Sequence, residues 1–194
     1  MFCSCNSLSD ISPLKDWKVS KGKKFNYMFS WCQTLSDITP LKNWDVSNSI
    51  ELRGMFLDCD KLSNIKPLEN WNVSKCKNFS DMFYKCSGLS NISGLERWDV
   101  SKSEEFSEMF SKCNNLSNIN ALENWNVSKC ENFSKMFYEC NILSNIKPLK
   151  KWKVLKNAKF LGMFYRCNIS NLNSIKTWNI SDKIEKEIIK YDDY

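Results

Sequence analysis

Ten cysteines give this chain most of its chemical potential, and seven of them recur at one interval. Cys5, Cys32, Cys59, Cys86, Cys113, Cys140 and Cys167 each stand 27 residues after the one before. Thiols at fixed spacing can bridge, bind a soft metal or act as nucleophiles, and the sequence obstructs each of these. Neighbours in a repeating column point the same way and their number is odd, which disfavours pairing along it. Histidine is absent and no Cys-x-x-Cys pair occurs. That removes the usual zinc ligand sets and the base that a nucleophilic cysteine needs. A structural ladder of reduced thiols filling a small core slot remains. Cys76 and Cys130 share a second column two units apart. At β spacing that is roughly 10 Å, too far for a disulfide. Reduced thiols fit a reducing compartment or an anaerobic surface.

Two other columns invite a ligand. Asp45, Asn72, Asp99 and Asn126 make an oxygen-rich ladder of the kind that could hold calcium. Alternating Asp with Asn more simply avoids stacking like charges at close range. Trp17, Trp44, Trp71, Trp98, Trp125 and Trp152 could offer ring faces to a sugar or a cation. Their strict period beside Leu and Val columns places them in the core instead. Trp31 lies outside that column, where other units carry Asp58, Lys85 or Glu139, and is expected at the surface. Glu104 and Glu105 read as a solvent-facing pair, and no glycine-rich phosphate loop occurs. Asn-x-Ser sequons such as Asn72 and Asn132 belong to the unit itself and carry no separate signal. The chain reads as a non-enzyme with no catalytic residues, no metal and no cofactor.

The positioning elements follow from the same interval. Met1-Phe2, Met28-Phe29, Met55-Phe56, Met82-Phe83, Met109-Phe110, Met136-Phe137 and Met163-Phe164 hold all seven methionines, 27 residues apart. A period between 20 and 50 residues marks a solenoid or a related array. Numbering each unit from its Met gives MFxxCxxLSxIxPLxxWxVSxxxxFxx, with core columns at the Phe, Cys, Leu, Ile, Trp and Val places. Apolar residues at Phe79, Met82, Phe83 and Cys86 follow i, i+3, i+4, i+7 and predict an amphipathic helix from place 21 to the next cysteine. Ser74 would cap it. Ser12-Pro13-Leu14 predicts a 3₁₀ turn capped by the serine, with proline at the first helical position. Trp-x-Val alternates with period two and predicts a short strand, paired in parallel with the next unit. The fold class is therefore an α/β repeat solenoid, leucine-rich-repeat-like, whose 27-residue units each carry a short strand and a short helix. Residues 1–181 form an array of about six and a half repeats, and 182–194 a C-terminal capping helix and tail, with Ile184 and Ile188 at helical spacing.

Composition narrows the partners. The 28 basic and 22 acidic side chains give +6 but are interspersed, so no nucleic-acid footprint is expected. No apolar run approaches the ~18 residues that a membrane span needs.

The MFxxC, Leu-Ser-x-Ile and Trp-x-Val-Ser arrangement resembles the BspA-like leucine-rich-repeat surface proteins, in the branch with a Met-Phe helix. The resemblance covers about residues 1 to 180. The chain departs from that family's usual strand by carrying Ile-x-Pro-Leu-x-x-Trp in a longer unit. It implies cell-surface display or secretion, and a broad binding face used in adhesion or host contact with a protein or glycan partner. The alternative is an intracellular scaffold, or a spacer within a longer array with no ligand of its own. The opening MFCSCNSLSD has no signal-peptide features, which leaves a cytoplasmic protein or a fragment in view. A bare first repeat also predicts self-association through that edge. Among the variable places, Lys42, Asn43, Glu69, Asn70, Glu96, Arg97, Glu123 and Asn124 form one row and are the expected interaction residues.

Overall fold

The computed structural model describes residues 1–190. Its units stack in register at the 27-residue interval. Five parallel bridges run unbroken through Lys24, Glu51, Asn78, Glu105, Asn132 and Lys159, and a sixth joins Asn91 to Asn118. From the bridge onward, alternate amides reach the carbonyls of the following unit. Phe79 donates to Glu105 (2.9 Å), Asp81 to Ser107 (2.9 Å), Phe83 to Met109 (2.9 Å) and Lys85 to Ser111 (2.7 Å). Amides in between turn inward, with Met82 donating to Phe79, Tyr84 to Asp81 and Cys86 to Phe83. The remaining amide, Ser80, is taken by Asn78 Oδ1 at 2.8 Å. Every backbone donor from 79 to 86 is thus satisfied without a helix.

That corrects the expected amphipathic helix. Phe79, Met82, Phe83 and Cys86 are all buried, so the periodicity located the core face correctly. Overlapping four-residue turns return side chains to one face with nearly the same spacing as a helix. A helix of this length is marginal by itself, whereas the stack offers carbonyls on the next unit for every second amide. With no helix there, Ser74 caps nothing; its own amide is held by Asn72 Oδ1.

The turns require an uncommon backbone conformation. The residue just before each Met (Tyr27, Gly54, Asp81, Glu108, Lys135, Gly162) and the one three after it (Ser4, Trp31, Asp58, Lys85, Lys112, Glu139, Arg166) all have φ between +55° and +64°. This is the third-position geometry of a type II turn, held mostly by residues other than glycine. Each costs about 1 kcal/mol relative to an unstrained position.

The 3₁₀ turns form where Pro-Leu predicted them, at Ser12–Leu14, Thr39–Leu41, Lys66–Leu68 and Lys147–Lys151, and Ala121 sustains one at Asn120–Leu122. Their cap is not the serine. Asp10 Oδ1 takes the Ser12 amide (2.8 Å), and Asp37, Asn64, Asn118 and Asn145 do the same in their units. In the fourth unit Gly94 sits at φ +112° and no 3₁₀ turn forms at 93–95.

Trp-x-Val alternates inward and outward as expected, with Trp98 and Val100 buried around an exposed Asp99. It is not the paired strand, since the bridges at places 24 and 10 lie elsewhere. What joins units at the tryptophan is the indole N–H. Trp44, Trp71, Trp98, Trp125, Trp152 and Trp178 each donate Nε1–H to a leucine carbonyl one unit back at 2.9–3.0 Å. The Met-Phe phenyl rings form an unbroken stack from Phe2 to Phe164, with centroids 5.5–5.7 Å apart and planes within 10°.

Helix α1, Asp182–Ile189, follows a sixth, longer 3₁₀ segment at Asn173–Trp178. Its carbonyls meet the last unit as the next unit would: Glu187 accepts from Gly162 (2.8 Å) and Ile188 from Phe164 (2.9 Å). Ile188 is fully buried and stands where an eighth Met would fall. The side chain of Ile184 and the tail 191–194 lie outside the described residues.

Candidate interaction face

The cysteine ladder is a structural device, and its geometry explains the residue type. Each Sγ–H points at the carbonyl of the phenylalanine in the preceding Met-Phe pair: Cys32 at Phe2, Cys59 at Phe29, Cys86 at Phe56, Cys113 at Phe83, Cys140 at Phe110 and Cys167 at Phe137, all at 3.0–3.2 Å. A slot this small takes a thiol donor and little else. All ten cysteines are free. Burial pushes the Cys32 thiol up to about 11 and Cys167 to about 12, and raises Cys86, Cys113 and Cys140 well above the usual thiol range. Such thiols are poor nucleophiles. Cys5, the first member, is exposed.

Cys76 and Cys130 belong to a second slot shared with Ser49 and Ser103, all four buried. The position selects a small side chain with a donor: Ser103 Oγ–H reaches the Cys76 carbonyl at 3.0 Å, and the Cys76 thiol reaches Asn78 at 3.5 Å. The serines were invisible to a reading that followed cysteines alone.

The Asp/Asn column after each tryptophan turns out to have an occupation of its own. Oδ1 of Asp45, Asn72, Asp99 and Asn126 accepts the amide two residues on, at 3.0–3.2 Å. Hydrogen bonds from the side chain and amide of Ser47 hold the Asp45 carboxyl below its usual range, and Ser101 does the same for Asp99. Both stay anionic at neutral pH.

On this same side, the predicted row lies open to solvent. Lys42, Asn43, Asn70, Glu96, Arg97, Glu123 and Asn124 are exposed and Glu69 is half-buried. The structure adds what the sequence did not: the row edges a cleft that recurs between units. One of about 480 Å³ is lined by Glu123, Asn124, Trp125, Asn126 and Ser128, with Lys151 and Lys153 from the next unit. Another of about 280 Å³ uses Glu69 to Val73 with Arg97 and Asp99. A third of about 380 Å³ runs from Lys15 to Ser20 with Asn43 and Asp45. All three are built from the same places of their units, so the cleft is a property of the repeat. Asn72 and Asn126, first weighed as calcium ligands, line these clefts instead, and the closure by residues of the following unit such as Lys151 and Lys153 is what the sequence did not show.

Within the row some charges are already engaged. Lys66 pairs with Glu69 and Lys151 with Glu123, each at 2.7 Å, and Glu96 takes the Gly94 amide at 2.6 Å. Asn43, Asn70 and Asn124 have no hydrogen-bond partner within the described chain. Trp31 is 42% exposed, outside the column as expected. No described helix is long and apolar enough to cross a membrane.

This architecture is a repeat solenoid whose units present variable side chains from an invariant core. The chain belongs to the family described as Mycoplasma protein of unknown function, DUF285, whose model matches residues 1–120 and again 89–190. Among solved structures it is similar to bacterial proteins at low identity. An internalin (inlF) from Listeria monocytogenes aligns at 14% identity over 74% of this chain and 55% of its own, with a TM-score of 0.24. A leucine rich cell surface protein from Faecalibacterium prausnitzii aligns at 15% over 87% of this chain and 55% of its own, with a TM-score of 0.35. The chain thus spans about half the length of these two proteins. Scores of this size do not superpose individual sites. Among curated proteins, none matches.

Proposed function

We propose that the protein is a non-catalytic interaction module that engages a macromolecular partner through the row at Lys42, Asn43, Glu69, Asn70, Glu96, Arg97, Glu123 and Asn124, displayed at a cell surface as in BspA-like proteins. One observation carries this reading: exposed, varied polar side chains recur beside equivalent clefts on a stack whose core scarcely varies. Such a stack holds its surface rigidly, which lowers the ordering cost of binding.

The test is affinity capture from host-cell surface extract with the wild-type chain and a triple variant, Glu69→Lys, Glu96→Lys and Glu123→Lys. Loss of a specific captured protein in the variant, with unchanged thermal unfolding, supports the row. Equal capture by both chains would move the interaction elsewhere, and no specific capture by either would favour the spacer.

A further inference from the structure

The two ends of the stack differ in a way that makes each the complement of the other. We propose that copies of this chain join end to end, the first unit of one seated on the last unit of the next, with helix α1 a displaceable plug that competes for that seat. The joint uses none of the residues of the interaction row.

The junction between successive units defines the fit. A unit gives backbone amides to the unit after it, as Phe137 does to Met163 at 2.9 Å. In return it receives a thiol and an indole N–H: Cys167 reaches the Phe137 carbonyl at 3.0 Å, and Trp178 the Leu149 carbonyl at 3.0 Å. Rings continue across the same junction, Phe164 on Phe137 at 5.7 Å and Trp178 on Trp152 at 6.0 Å. Neighbouring layers are held by side chains and hydrogen bonds, so a layer from another chain can make the same junction.

The outer edge of the first unit lies open. Met1 is 83% exposed and Trp17 39%; Cys5 is exposed, and Phe2, Leu8 and Val19 are half-buried. On the last unit of another copy, the repeat register gives each of these groups a partner. The Met1 carbonyl meets the Phe164 amide and the Cys5 thiol meets the Phe164 carbonyl. The Trp17 indole meets the Ile175 carbonyl, which holds in Asn173–Trp178 the place that Leu149 holds in Lys147–Lys151. Phe2 and Trp17 then extend the two ring stacks. Two first-unit edges facing each other would instead oppose carbonyl to carbonyl, because the Phe2 and Ser4 amides are spent on Met28 and Ser30 of their own chain.

Helix α1 holds that seat with fewer groups. The Ile188 carbonyl takes the Phe164 amide at 2.9 Å, and the buried Ile188 side chain fills the Met place. The helix sequence, DKIEKEII, has no ring to stack on Phe164 or Trp178 and no thiol. A copy that displaces α1 contributes all of these. The contact is heterologous and does not close, so copies add in a line, and α1 sets how readily they do so.

The experiment is sedimentation velocity, under a thiol reductant, of the full chain as wild type, as Ile188→Glu, and as Ile188→Glu with Trp17→Glu. Ile188→Glu unseats α1 and should give a ladder of species whose mean mass passes that of three chains as concentration rises. Wild type should associate at least about tenfold more weakly. The double variant has an open seat and a spoiled edge. It should stay monomeric alone and form a one-to-one complex with wild type, whose edge is intact. Lys15 falls beside Lys176 in the joint, so added salt should strengthen it. Thermal unfolding checks that each chain is folded at the working temperature; were Ile188→Glu to melt too early, the milder Ile188→Ser would take its place. A folded Ile188→Glu that stays monomeric, a ladder that persists in the double variant, or a double variant that ignores wild type would each overturn the proposal.

Discussion

Trp17 and Trp98 occupy the same place in their units, yet Trp17 is 39% exposed and Trp98 only 3%. The contrast holds down the first unit. Cys5 is open to solvent while Cys86 is fully buried, and Leu8 and Val19 are half-buried where Leu89 and Val100 are sealed. The side chains are the same and the difference is the neighbour. Trp98 sends its N–H to Leu68 of the unit before, and Trp17 has no such carbonyl. Each layer of this solenoid obtains its core, its thiol acceptor and its indole acceptor from the layer before it, and its backbone acceptors from the layer after. Stability should then behave as a sum of junctions rather than of units.

The largest expected effect comes from the sealed thiols. Burial raises Cys32 to about 11 and Cys76 and Cys167 to about 12, with Cys59, Cys86, Cys113, Cys130 and Cys140 raised as well. Folded values above the unfolded value mean that this stability is whole below about pH 9 and lost as pH climbs toward 11 and beyond. Urea midpoints at pH 8, 9 and 10 should fall steeply, and at pH 8 an alkylating reagent should modify Cys3 and Cys5 well before the inner column. A flat profile, or early labelling of Cys86, would mean that inner and outer layers do not differ as described.

Next in size is the phenyl stack. Phe110→Ala removes a ring stacked on both sides, by Phe83 and Phe137, and should cost about 3–5 kcal/mol. Phe2→Ala removes a half-buried ring stacked only on Phe29 and should cost about 1 kcal/mol. Equal losses in chemical denaturation would break the comparison.

Removal of residues 182–194 addresses the other end. If α1 serves the seventh unit as each unit serves the one before it, the Gly162 and Phe164 amides lose their acceptors and the burial of Ile188 is lost. A destabilisation of about 2–4 kcal/mol is expected. A thermal midpoint unchanged by the truncation would mean the helix is an appendage.

The smallest effect should be a gain. Glu108 sits at φ +56°, where Gly54 and Gly162 stand in two sister units, and burial raises its carboxyl above the usual range. Glu108→Gly should stabilise by about 0.5–1 kcal/mol, measured as a shift in urea midpoint. A loss would show that its contacts outweigh the backbone strain.

Much of this was legible in residues. The Cys column had to be reduced and structural because it lacked histidine and an even count, and Pro-Leu marked its 3₁₀ turns. The row at Lys42 to Asn124 was visible as the variable places. Its clefts were not, since each is closed by side chains of the following unit, such as Lys151 and Lys153 beside Asn124. The expected helix at 75–86 failed for a related reason. Phe79, Met82, Phe83 and Cys86 specify which face is inward, but the partner of the Phe79 amide is Glu105, and nothing within the unit names it.

The sequence by itself therefore determined the period, the inward columns and the small donor-bearing slots, because burial and volume select residue types one place at a time. Only the tertiary structure decided where the backbone hydrogen bonds run and where clefts open between units. Both depend on pairs of residues from different layers, and identical layers leave that pairing unwritten until they stack.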